Sequence, residues 1–140
     1  MALKASVRTL LLIGMLATVG AGLLTLGLGM DTPWAPWERQ SDTMFPPLLF
    51  TLASFMATVA FCATTVVFHT WLKMLTNNPD KWWRFSGILF LFAYGIYSFG
   101  SGTIEAAIML NILHLIVGLP ALILLPRTFE KSKITIIPRK

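Results

Sequence analysis

Four apolar runs dominate this 140-residue chain: TLLLIGMLATVGAGLLTLGLGM (9–30), PPLLFTLASFMATVAFCATTVVFHTWLK (46–73), FSGILFLFAYGIYSFGSG (85–102) and IEAAIMLNILHLIVGLPALILLP (104–126). In hydrocarbon a backbone must pair its own N–H and C=O groups, so runs of this kind resolve as helices. A helix needs roughly 20 apolar residues to cross a core about 30 Å thick. The first, second and fourth runs meet that requirement easily. The third is shorter and ends in Gly and Ser, yet it is too oily to lie in water. Charged residues make up only 12% of the chain, and they gather in the gaps and at the ends. A soluble domain carries about twice that share, scattered over its surface.

The expected fold is therefore all-α: a polytopic membrane protein forming a four-helix antiparallel bundle, one membrane domain over 1–140. Its parts are an outer connector at 31–45 and a basic tail at 127–140. Lys4 and Arg8 precede the first run as they would in a secretory leader. That run is longer than a leader's apolar core, however, and DTPWAPW follows it without a small-residue cleavage site, so it reads as a retained span.

The charges orient the bundle. Asp31, Glu38 and Asp42 outweigh Arg39 between the first two spans. The N-terminal flank, the 73–84 gap and the tail are each net positive. Of eleven Lys and Arg residues, only Arg39 falls on the other side. With four spans, both termini face the cytoplasm of a bacterial inner membrane. Trp34 and Trp37 mark the outer interface, and Trp71, Trp82 and Trp83 the inner one. Pro33, Pro36, Pro46 and Pro47 stiffen the outer connector, which reads as a cap along the surface.

The net charge of +5 comes without an aromatic-interleaved basic stripe, so nucleic acid is not the expected partner. Anionic lipid headgroups are, and the tail KSKITIIPRK is expected to lie on them. Cys62 is the sole cysteine; it excludes an internal disulfide and reads as a small buried hydrophobe.

Short loops favour sequential antiparallel neighbours. Gly14, Thr18 and Gly22 form one small-residue ridge, and Ala53, Ala57, Ala60 and Thr64 another. Such ridges let helices approach within a bundle or between copies of the chain. No repeat links the two halves, so an inverted-repeat transporter has no support.

Two intramembrane histidines suggest axial haem ligands, but depth argues against it. Counted from Lys73 and Arg127, His69 lies about 6 Å above the inner edge and His114 about 19–20 Å above it. His69 reads as interfacial. His114 falls near the middle, where a polar group needs a partner. It shares one helix face with Ala107, Asn111 and Gly118. The same depth count brings Tyr97 level with it, and Ala21 beside Gly20 and Gly22. The expected picture has His114 bonded to Tyr97 and Asn111 reaching the Ser98–Ser101 region. The leading reading of this cluster is a structural network that fixes helix register. His114, Tyr97 and Asn111 are the candidate contacts if it instead lines a site for a small ligand or quinone-like molecule. A proton or solute path, the third reading, lacks companion charges. Glu105 suits the start of the fourth helix. FGSGTIE follows no strand, so it is not a nucleotide loop. No acid accompanies Ser98 or Ser101 and His114 to complete a triad, and no metal-ligand spacing stands out.

The stretch SGTIEAAIMLNILHLIVGLPALILLPR, with WWRFSGILFLF before it, resembles small bacterial four-helix membrane proteins grouped as a domain of unknown function. The matching positions are His114, Gly118, Pro126 and Arg127. The likeness runs over roughly residues 8–127 and implies fold and location; it brings no activity, cofactor or ligand.

Three functional classes remain. The leading one is a non-catalytic accessory or structural subunit of a larger membrane complex, associating with other subunits or with itself. The second is a binder or carrier of an apolar cofactor, pigment or quinone through His114 and Tyr97. The third is a small oligomeric transporter. No catalytic constellation supports an enzyme.

Overall fold

A computed structural model describes residues 2–35, 43–100 and 102–130, with side chains over 7–128 of those stretches. Trp37 as an anchor, Arg39 near Glu105, Ser101 and the tail from 131 onward lie outside the described residues. The described chain is helical, with one isolated antiparallel bridge, Trp34 to Met44. Helix α1 is Ala2–Gly22, α2 Pro47–Leu75, α3 Pro79–Tyr97 and α4 Ile104–Glu130.

Local chemistry explains the ends. Past Gly22, α1 widens into a π-helical turn, Leu23–Gly27. The Thr25 hydroxyl takes the carbonyl of Ala21 at 2.7 Å, competing with the backbone there. Helix α2 starts with Pro47 in its first turn, where a missing N–H costs nothing. Helix α3 begins at Pro79 rather than near Phe85. Asn78 caps it through its Oδ1, which accepts from Lys81 N at 3.4 Å, and Asp80 sits in the first turn. The 3-10 turn Ser98–Gly100 ends it.

Val7–Gly27, Pro47–Leu75 and Ile104–Thr128 are long and apolar enough to cross a membrane. Helix α3, the third expected span, is not among them, because its first turns are charged and its apolar part is short.

Contact registers fix the arrangement. Gly14 meets Val59 and Gly22 meets Thr51. Gly20 meets Leu113, and Ile13 shares a cluster with Leu125. Gly87 meets Leu122 and Gly118 meets Leu91. Phe61 stacks on Phe90, and Phe68 leans on Trp83. In every pair one number rises as the other falls, so sequential helices, and α1 with α4, run antiparallel around a ring. Gly14 and Gly22 of the first small-residue ridge do face α2. The second ridge does not form a seam: Ala57, Ala60 and Thr64 are exposed.

Two apolar clusters fill the bundle. One, toward the 31–45 connector, joins Ala21, Leu24, Phe45, Phe50, Met109 and Leu113. The other, toward the α2–α3 turn, joins Ile13, Cys62, Leu72, Trp83 and Leu125. The described parts of the connector are folded onto the first end. Phe45 N donates to Pro33 O at 2.8 Å and Ala35 N to Thr43 O at 2.9 Å. The Thr32 hydroxyl donates to the Phe45 carbonyl. Thr103 donates to Asp31 Oδ2 at 2.7 Å and accepts from Ala106 N at 3.1 Å, so it ties the connector to the start of α4. Trp34 lies over Gly102, whose φ of +130° and contact with the indole leave no place for a Cβ. The surface is oily: Leu12 is 62% exposed, Val67 70% and Ile104 73%.

Candidate functional site

The α3–α4 seam carries the residues singled out in the sequence. Its pairs alternate small with large. Leu122 packs on Gly87, and Leu91 fills the space over Gly118, where a Cβ would come 2.5 Å from Leu91 Cδ2. Asn111 lies against Gly95, where a Cβ would come 2.7 Å from Asn111 Oδ1. The Asn111 amide donates to Ala107 O at 2.8 Å, within its own helix, and to Gly95 O at 3.2 Å across the seam. Its N–H donors are thereby spent, one turn short of the Ser98 region.

His114 meets Tyr94, not Tyr97. The imidazole and the Tyr94 ring stand perpendicular, centroids 4.6 Å apart at 85°. Tyr97 is 77% exposed and leans on Tyr94 at 5.9 Å. The match to Tyr97 counts α3 from Arg84, taken as level with Arg127. The observed pairs instead place residue 84 opposite Leu125, so Arg127 lies further toward the turn end. Long arginine side chains reach the same interface from different depths, and the error is about one helical turn. Gly20, beside the Ala21 that the same count sets level with His114, receives Leu113.

His69 is 1% exposed, so it is a buried residue at the turn end. Its Nε2 lies 2.8 Å from Asp80 Oδ1, and its ring is edge-on to Trp83. The pair clasps α2 to α3. Along α3, Trp83 and Tyr94 mark the levels of the two histidines, about 16 Å apart, too far to clamp one iron. Among the described residues no three His, Cys, Asp or Glu side chains converge.

Beside the closed α3–α4 seam, the α2–α3 seam stands open. Its helices touch through rings: Phe61 on Phe90 at 5.0 Å, and Phe68 near Trp83 at 6.4 Å. Rings hold the backbones apart, and two confluent hollows result. The first, about 290 Å³, is lined by His114, Tyr94, Thr58, Ala57 and Val117 among others. The second, about 230 Å³, runs on toward Cys62, Phe68, Trp83, Ser86 and Ala121. Phe61, Phe90, Leu91 and Gly118 line both. Neither Tyr97 nor Asn111 does.

Polar side chains follow one rule. Thr18, Thr25, Thr51, Ser54, Thr64, Thr65, Thr70, Ser98 and Thr128 each donate to a carbonyl three or four residues back in their own helix. Among the described helical Ser, Thr and His side chains, those without a hydrogen bond are Thr58, Ser86 and His114, and all three line the cleft. His114 Nδ1 and Trp83 Nε1 are closed off without a partner. Sequence reasoning found His114 and missed Thr58, Phe61 and Tyr94. The spacing of Phe90 and Tyr94, four apart, was the available signal for an aromatic face.

No family model, curated protein or solved structure matches the chain.

Proposed function

We propose that this chain is a non-catalytic integral protein of a bacterial cytoplasmic membrane, an accessory subunit that docks to a larger complex through α3. It crosses the bilayer four times with both flanks on the cytoplasmic side. The charge distribution supports that orientation, since Lys73, Lys81, Arg84 and Arg127 cluster at the turn end while Asp31 and Glu105 lie at the connector end.

The observation that carries the docking role is the state of α3. From Phe85 to Gly100 its apolar part extends only about 24 Å, against a hydrocarbon core of about 30 Å. A short span must thin the bilayer or find protein neighbours. Trp83 is the one buried residue within this helix. Trp82, Phe85, Phe92 and Ile96 are all exposed, an aromatic-rich face suited to protein packing. Thr58 apart, the described hydroxyls of the other helices have partners, so among the described residues no continuous chain of polar groups runs through the bundle. That weighs against a solute path and in favour of a packing role.

The test is site-specific photocrosslinking in native membranes. A photoreactive residue at Phe92 should capture one defined membrane protein in near-stoichiometric yield. The same residue at Met15 on α1 should capture mainly lipid. Lipid-only adducts at both sites, with a lone monomer in mild detergent, would overturn the subunit role. Reporter fusions that placed the two flanks on opposite faces would overturn the topology.

A further inference from the structure

We infer that the cleft between α2, α3 and α4 binds a prenyl quinone, with its ring in the hollow beside His114 and Thr58 and its chain along the hollow below. The inference starts from hydrogen-bond accounting. Every other described helical Ser or Thr side chain has a partner, and His69 has Asp80. Thr58, Ser86 and His114 are the unspent ones, and they converge on one cleft. A hydroxyl can swing back to a carbonyl of its own helix, as nine others here do. An imidazole cannot, so His114 demands a partner in the upper hollow, as the indole N–H of Trp83 does at the far end of the lower one.

The ring nitrogens of His114 differ. Nδ1 is closed off with no partner, whereas Nε2 is not closed off and the ring lines the hollow. An orphaned buried N–H is rarer than an under-satisfied acceptor. We therefore assign the proton to Nε2, which makes it a donor facing the hollow. Its partner is an acceptor, such as a carbonyl oxygen. Thr58 supplies a second donor on the facing helix.

The walls specify the rest. Phe61, Phe90 and Tyr94 form a run of near-parallel rings, at 5.0 and 5.5 Å with interplanar angles of 26° and 21°. An aromatic wall of this kind suits a flat ring ligand held edge-to-face or offset. The first hollow, about 290 Å³, opens into the second at Phe61, Phe90, Leu91 and Gly118. From Phe90 to Trp83 the second hollow continues about 10 Å along α3, with an almost wholly apolar lining suited to a hydrocarbon chain. A phospholipid acyl chain would fit the lower hollow too, with its ester carbonyl near Trp83 and Ser86. It would leave His114 and Thr58 unanswered in the middle of the bundle, and the quinone answers both.

The inference rests on the chain lying in a bilayer, so the test uses the full chain reconstituted in phosphatidylcholine nanodiscs. The probe is decylubiquinone, a benzoquinone carrying a decyl chain. Failure to reconstitute would strike at the membrane reading. Reconstituted chain that retains no more quinone than empty discs would strike at this inference alone. The expected result is saturable retention at about one quinone per chain. His114→Phe should weaken it about tenfold, while His114→Gln, which keeps a donor, should stay within about threefold of wild type. Should His114→Phe not fold, Thr58→Val, with about threefold weakening expected, gives an independent reading beside the wild-type comparison. A phospholipid that stays bound in native mass spectra and is not displaced by quinone would overturn the assignment. Equal retention by wild type and a folded His114→Phe would do the same.

Discussion

Helix α3 has two neighbours and meets them in opposite ways. Against α4 it is closed by glycine: Gly87 under Leu122, Gly118 under Leu91 and Gly95 under Asn111. Against α2 it is propped by Phe61, Phe90, Phe68 and Trp83 and held at one end by His69 and Asp80. Inside a membrane, lipid is as apolar as the side chains, so contact quality rather than burial decides which helices adhere. The glycine seam supplies contact along its whole length. The aromatic seam supplies contact at a few rings and leaves hollows between them.

Substitutions that break the closed seam should cost most. Gly87→Val puts a side chain into the space of Leu122 Cδ2 and Cγ. Overpacking of this kind costs about 2–3 kcal/mol, because the Leu122 methyls must move toward the lower hollow that they border. Reversible unfolding in mixed micelles should read the loss, and α3 should separate from α4 in interhelical distance measurements. A cost under about 1 kcal/mol would mean that the seam yields easily.

Opening the clasp comes next. His69→Ala removes a buried ring and leaves Asp80 without its imidazole. The loss of packing and of one hydrogen-bond partner points to about 2 kcal/mol. The effect should be local, with faster amide exchange over the α2–α3 turn while the α3–α4 seam stays protected. Uniform loosening of both seams would erase the distinction between them.

Cutting the polar stitch of the closed seam should matter less. Asn111→Leu abolishes the bond to Gly95 O. Polar contacts between membrane helices average about 0.6 kcal/mol and reach about 1.7, so about 1 kcal/mol is expected by the same unfolding measurement. A much larger loss would make Asn111, rather than the glycines, the organiser of the seam.

The helical architecture is legible in the sequence because hydropathy and charge act over whole segments. Three expected spans emerge as long apolar helices, and Asn111, His114 and Gly118, which spacing puts on one inner face, all meet α3. The start of α3 was harder. Hydropathy begins at Phe85, whereas the helix begins at NPD, a capping signal that a search for oily runs passes over. The site was legible by half. Spacing put His114 on an inner face, but matching it to Tyr94 needs the register between two helices, which arginine markers fix only to about a turn. The His69–Asp80 pair depends on how tightly the 76–78 turn folds. The cleft itself is a property of the space between rings, which a one-dimensional reading does not hold.

The smallest expected effect is the most discriminating between the two seams. Ser86 is half-buried, lines the lower hollow and makes no hydrogen bond. In Ser86→Leu the new side chain enters open space bounded by Phe68, Trp83 and Ala121. Leu favours the helix slightly more than Ser, and filling a hollow commonly gains about 0.5 kcal/mol or more. The variant should unfold at or just above the wild-type midpoint. The same added bulk at Gly87, one residue along the helix, should be strongly destabilising, so neighbouring positions on α3 would respond with opposite sign. That contrast follows only if α3 is closed on the α4 side and open on the α2 side. A Ser86→Leu penalty of about 2 kcal/mol, the size expected of overpacking, would show the second seam to be as tightly filled as the first.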